Sequence, residues 1–258
     1  MKEGQKLWSR DELLLAINLY AKIPFGKMDQ RNKDVQELAQ LIGRTPGAVA
    51  RRLGNFASLD PVQQARGIKG LSNAGGLAEA VWNEFYTNWD ASFEASEQLL
   101  AKYKQTDVEH LYNLDYSDVE KGFDKVRLVK TRMNQYRFRQ IVMANYDSTC
   151  CITGINEPKL LIASHITPWS GYENNRLNPA NGLCLNALHD KAFDAGLITI
   201  AANDYTIHIS PALKKKLSVE VHEYFQKYEG KEIRFPKKFM PNPEFLEVHN
   251  EFFRTKNL

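Results

Sequence analysis

Residues 150–200 constrain the fold more than any other stretch of this chain. One short apolar run reaches His165, another covers 182 to 186, and between them lies a segment from 168 to 180 rich in Asn, Pro and Gly. The second run passes directly into a helical pattern from about Ala187 to Asp194. The expectation is a strand, loop, strand, helix unit with His165, Asn181 and His189 at its corners.

The same stretch carries ordered motifs. Ser164-His165-Ile166-Thr167-Pro168-Trp169 is followed by Asn181-Gly182-Leu183 and then by Phe193-Asp194-Ala195-Gly196. In this order they resemble the HNH nuclease family, and in particular its bacterial restriction-type branch, over roughly residues 131 to 210. The resemblance implies a small ββα-metal fold and makes His165 the general base that removes a proton from the attacking water. It implies that Asn181 holds the loop and the base in place.

Phosphodiester hydrolysis needs these residue types. An imidazole with a pKa near ~6.5 can take a proton from water at neutral pH, and a divalent cation can offset the charge of the transition state. Asp190 and Asp194, four apart on the expected helix, share a face, and carboxylates suit Mg²⁺ or Mn²⁺. His189 points to another side. Read literally, the last His of the family motif is His189, whereas the family spacing after Asn181 puts the metal ligand at Asp190. Asp190 is therefore favoured as ligand, His189 comes next and Asp194 third. One position departs from the family pattern: Ser164 stands where Asp or His often precedes the base and helps to bind metal.

Charge is uneven along the 258 residues. Residues 1 to 70 hold 12 Lys and Arg against 7 Asp and Glu, residues 71 to 120 hold 2 against 10, and the remainder 20 against 14. Two basic ends around an acidic middle suit a polyanion such as DNA, although uneven surface charge without a partner accounts for the same counts.

The N-terminal 60 residues read as three short helices. Ser9 and Glu12 form a capping-box pair before Leu13, Leu14, Ile17 and Tyr20. Val35 to Ile42 is a second amphipathic run closed by Gly43, and Thr45-Pro46 opens a third that buries Val49, Leu53 and Phe56. The arrangement resembles a helix-turn-helix-like trihelical module, with Arg44, Arg51 and Arg52 placed to meet phosphates or to serve simply as a solvated face. Residues 61–130 read as a helical connector and linker. Its aromatic stripe (Trp82, Phe85, Trp89, Phe93) is assigned to core, and Glu84, Asp90, Glu94 and Glu97 to the wet face of that helix. The nuclease domain is expected over 131–258, with Arg137, Arg139 and Arg176 as further phosphate contacts.

Three cysteines, two of them adjacent, cannot make a disulfide framework and are read as buried, reduced thiols. No stretch approaches the roughly 18 apolar residues of a membrane span, so the expected location is cytoplasmic. The fold class is α+β: a helical module followed by a ββα unit. The function expected is a metal-dependent DNA endonuclease acting in restriction or defence. Cutting both strands from one site per chain suggests a homodimer. The alternatives are an inactive DNA-binding or regulatory protein with a degenerate HNH unit, and an RNA-cleaving enzyme.

Overall fold

The computed structural model describes residues 6–68, 71, 74–112, 123–168, 175–216 and 218–258, with side chains in the helix that begins at 123 described from 131 onward. Trp169 and most of the loop that follows it lie outside the described residues, as does the middle of the expected linker. The chain forms two compact units, residues 1–144 and 145–258. Among the described residues no helix is long and apolar enough to cross a membrane.

The first unit is helical: α1 (Arg10–Lys22), α2 (Lys33–Leu41), α3 (Pro46–Leu59), α4 (Pro61–Ala65), α5 (Gly76–Thr87), α6 (Trp89–Lys104) and α7 (Phe123–Asn145). Local sequence sets the helix starts. Ser9 and Glu12 close the capping box on α1, Asn32 caps α2, and Thr45 with Pro46 caps α3. Helices α1, α2 and α3 pack on one another, and α5 and α6 also pack on α1. The stretch expected as a connector therefore supplies part of this unit's core: Tyr20 meets the edges of Phe56 and Trp82, and Phe85 meets those of Trp89 and Phe93.

Two ion clusters replace expected surface charges. Arg44 is the centre of one of them. Its guanidinium binds both Glu12 oxygens, at 3.0 and 2.8 Å, and the carbonyls of Lys6 and Leu7, and its side chain is only 8% exposed. Burial alone would raise the Glu12 carboxyl, but bonds from Arg44, the Ser9 backbone and Lys6 hold it at about 2. Glu97, expected on a wet face, is fully buried. It is bound by Lys22, by the Tyr112 hydroxyl and by Asn18 Nδ2, with Arg137 at 3.8 Å. Arg137 is itself buried and also donates to Tyr112 (3.3 Å) and Asn134 (3.0 Å), which removes it from the expected phosphate contacts. A charge needs a partner once it leaves water, and sequence pattern does not disclose partners tens of residues away.

In the second unit, β1 (Leu161–His165) and β2 (Gly182–Asn186) pair antiparallel, with Leu161 opposite Asn186 and His165 opposite Gly182. Helix α8 (Ala187–Asp194) follows without a loop and packs on both strands. A turn over 150–155, closed by Cys150 N–H to Ile155 O at 2.8 Å, braces β2 from the side through Cys151 N–H to Cys184 O, also 2.8 Å. Gly154 in that turn has φ +78°, and a Cβ there would stand 3.1 Å from the Arg234 guanidinium. A second hairpin, β3 (Ile198–Ile200) and β4 (Ile207–Ile209), precedes α9 (Pro211–Lys214), α10 (Val219–Tyr224) and α11 (Pro243–Lys256). Helix α11 locks the C-terminal end of α8 to β3. His249 stacks on Phe193 at 3.5 Å, donates from Nε2 to the Phe193 carbonyl, and accepts the Thr199 hydroxyl at Nδ1.

Because Arg44 is consumed inside the first unit, Arg44→Ala leaves Glu12 a buried, underpaired charge. It should destabilise that unit by about 3 kcal/mol. The loss reads as a lower urea midpoint at unchanged slope, followed by tryptophan fluorescence, since Trp8, Trp82 and Trp89 lie in this unit. An unchanged midpoint would return Arg44 to the solvated surface.

Candidate active site

His165 is the last residue of β1 and is half-buried. Its Nε2 lies 3.0 Å from the Arg176 carbonyl. A carbonyl only accepts, so Nε2 carries the proton and the neutral ring has its lone pair on Nδ1. Burial lowers the ring's pKa to about 4, against the carbonyl bond that raises it. At pH 7 the ring is therefore neutral.

Asn181 ends a 3-10 turn capped by Asn178 and is buried. Its Oδ1 accepts from Thr167 N (2.9 Å) and Thr167 Oγ1 (3.0 Å), and its main-chain oxygen accepts from Ile166 N. These bonds tie the two residues after His165 to the entrance of β2. They run through Thr167, which the sequence reading did not single out. The cluster of Asn at 174, 175, 178 and 181 was its only visible signal.

On α8 the three candidate ligands part company. Asp190 is half-buried and Asp194 exposed. Burial pushes the Asp190 carboxyl up, opposed by the Ser164 hydroxyl and Lys191. Burial and then the charge of Asp190 push Asp194 up. The two carboxylates thus feel each other one turn apart. His189 faces elsewhere: it is 1% exposed and its ring packs against Phe225 and Tyr228. Its Nδ1 donates to Asn186 Oδ1 at 3.1 Å, while Nε2, beside the Tyr224 backbone, completes no hydrogen bond. Asn186 caps α8 with the same oxygen and was not singled out from sequence, although Asn directly before a helix is a cap signal.

Ser164, on β1 beside His165, is buried. Its Oγ is near enough to Asp190 to influence the carboxyl, yet makes no hydrogen bond of full geometry. Among the described residues no three His, Cys, Asp or Glu side chains converge as a metal-binding group. Of the arginines, Arg176 lends its backbone to His165 and is half-buried, Arg139 is half-buried in the first unit, and Arg51 is exposed on α3. Arg52 donates to the Ala74 carbonyl at 2.6 Å and stacks on Trp8.

Residues 150–201 match a family described as HNH endonuclease. This segment is an HNH unit. The match begins at the Cys150 turn, runs through β1, β2 and α8, and ends just past β3. No curated protein matches the chain. All the residues that fix His165 in its described surroundings lie inside the HNH unit, which α11 braces from outside.

Three histidines of the second unit, His165, His189 and His249, are each held at about 4 by burial. Unfolded, they titrate near ~6.5, so between pH 6.5 and 4 the unfolded chain binds more protons. Their contribution to stability is complete above about pH 6.5 and is lost as the pH falls through that window. The thermal midpoint should therefore drop between pH 6.5 and 4.5, before the lowered carboxylates begin to titrate. A flat midpoint across this range would contradict the buried, neutral assignment.

Proposed function

We propose that the HNH unit hydrolyses phosphodiester bonds in DNA with the help of a divalent cation. The observation that carries this reading is His165, a neutral imidazole whose Nε2–H is occupied by the Arg176 carbonyl, so that Nδ1 is a directed lone pair. Such a ring takes a proton from a water placed in line with a phosphate ester. Asn181 holds the backbone that carries it.

The donor set on α8 fits a hard divalent ion. Mg²⁺ takes one or two protein carboxylates and fills its remaining positions with phosphate oxygens and water, so three converging side chains are not required. Asp190 and Asp194 would hold Mg²⁺ or Mn²⁺, with the unsatisfied Ser164 Oγ beside Asp190. A bound cation supplies positive charge to the phosphorane-like transition state. His189, enclosed by Phe225 and Tyr228, is assigned to packing the base of α8.

In the first unit, α1 to α3 are read as a helix-turn-helix-like DNA contact. Its support is an open groove lined by Lys6, Trp8, Arg44, Arg51 and Arg52, of which Arg44 is committed to Glu12. With Arg44 and Arg137 held in internal clusters, Arg51 is the principal phosphate contact. The setting we favour is restriction or defence against foreign DNA, in a homodimer where both strands are cut. Ser164 in place of an acidic or histidine ligand supports a second reading, a DNA-binding protein whose HNH unit has lost turnover.

Incubation with plasmid DNA and with single-stranded RNA, in Mg²⁺, Mn²⁺ or EDTA, tests these readings together. The expected result is nicked or linear plasmid with metal and none with EDTA. Intact nucleic acid in every arm would favour the inactive reading, and cleavage of RNA alone would change the substrate. Calorimetric titration with Mn²⁺ tests the ligands: Asp190→Ala should abolish the binding heat, whereas His189→Ala should weaken it severalfold at most. The reverse order would move the ligand to His189.

A further inference from the structure

We infer that Thr167 is a positioning residue for the base, acting through the Asn181 amide; the inference deepens the proposed nuclease reading and rests on it. The side chain of Asn181 joins the two segments that fix His165. Its Oδ1 takes both donors of Thr167, two residues after His165, at 2.9 and 3.0 Å. Its Nδ2 donates to the Asn175 carbonyl at 3.4 Å. Asn175 is followed by Arg176, whose carbonyl receives the His165 Nε2–H. The bonds close a ring: His165, Ile166, Thr167, the Asn181 amide, Asn175, Arg176 and back to the imidazole.

A second brace holds the Asn175 side chain. Asn178 donates from Nδ2 to Asn175 Oδ1 at 3.1 Å and uses its own oxygen to cap the turn that ends at Asn181. Thr167 is fully buried and Asn181 almost so, so water does not compete for the amide. With both donors of Thr167 on Oδ1, the amide can turn only one way, and its NH₂ must face Asn175. Removing the hydroxyl leaves Oδ1 half-satisfied and loosens the carbonyl that selects the His165 tautomer. Thr167 touches no reacting atom in this scheme.

The test reads the imidazole directly. In ¹⁵N spectra of the full chain at pH 7, the wild-type His165 ring should be protonated at Nε2 only. Thr167→Val should show a mixture of the two tautomers, with the His165 titration moving further down, since the carbonyl bond that raises it is weakened. It should also cut kcat for plasmid cleavage about tenfold with KM within about twofold, the size expected for one lost orienting bond. Thr167→Ser, which keeps the hydroxyl, should restore both the spectrum and the rate. A wild-type tautomer and titration in Thr167→Val would overturn the inference. If that variant does not fold, Thr167→Ala, which also removes the hydroxyl, should produce the same shift, and an unaltered His165 signal there would overturn it equally. Because the spectra need no turnover, absence of cleavage by the wild-type chain would count against the nuclease reading alone.

Discussion

A neutral imidazole is a directed base only when one of its nitrogens is occupied. In the HNH unit the occupant is the Arg176 carbonyl, 3.0 Å from His165 Nε2. Neither strand alone could arrange this. His165 is set at the end of β1 by its pairing with Gly182, while Arg176 belongs to the loop between the strands. The Asn181 amide brings the two segments together, and the turn at Cys150 and the cap at Asn186 keep β2 and α8 where that amide needs them. Burial then completes the effect by keeping the ring uncharged at neutral pH.

The elements of this unit were legible because each has a local cause. Two five-residue strands and an eight-residue helix follow from apolar runs bounded by Asn, Pro and Gly, and the structure places them at 161–165, 182–186 and 187–194. The helix starts of the first unit were legible for the same reason, since capping residues act within three positions. What could not be read was partnership across the chain. Arg44 finds Glu12 across 32 residues, and Lys22 finds Glu97 across 75. On a sequence, both pairs look like surface charge. The corrections at Arg44, Arg137 and Glu97 share that origin: a residue's charge is local information, and its burial is not.

The α8 carboxylates show the other limit. Spacing places Asp190 and Asp194 on one face and His189 off it, and the structure encloses His189 between Phe225 and Tyr228 from beyond the HNH unit. Those two aromatics lie more than thirty residues downstream, and the motif gave no hint of them. Ser164 has the same character in reverse. Its place beside His165 was visible at once, but only the fold shows its oxygen buried near Asp190 without a full hydrogen bond.

The claim on which the account turns is that His165 is the base. The most direct measurement is the single-turnover rate of plasmid cleavage by His165→Ala at DNA and Mg²⁺ concentrations that saturate both it and the wild-type chain. Equal occupancy is checked by fluorescence anisotropy on the same DNA in Ca²⁺. The account predicts a fall of at least about a hundredfold in rate with DNA affinity nearly unchanged, since the substitution removes a proton acceptor and no phosphate contact. Cleavage by His165→Ala near the wild-type rate at equal occupancy would contradict it.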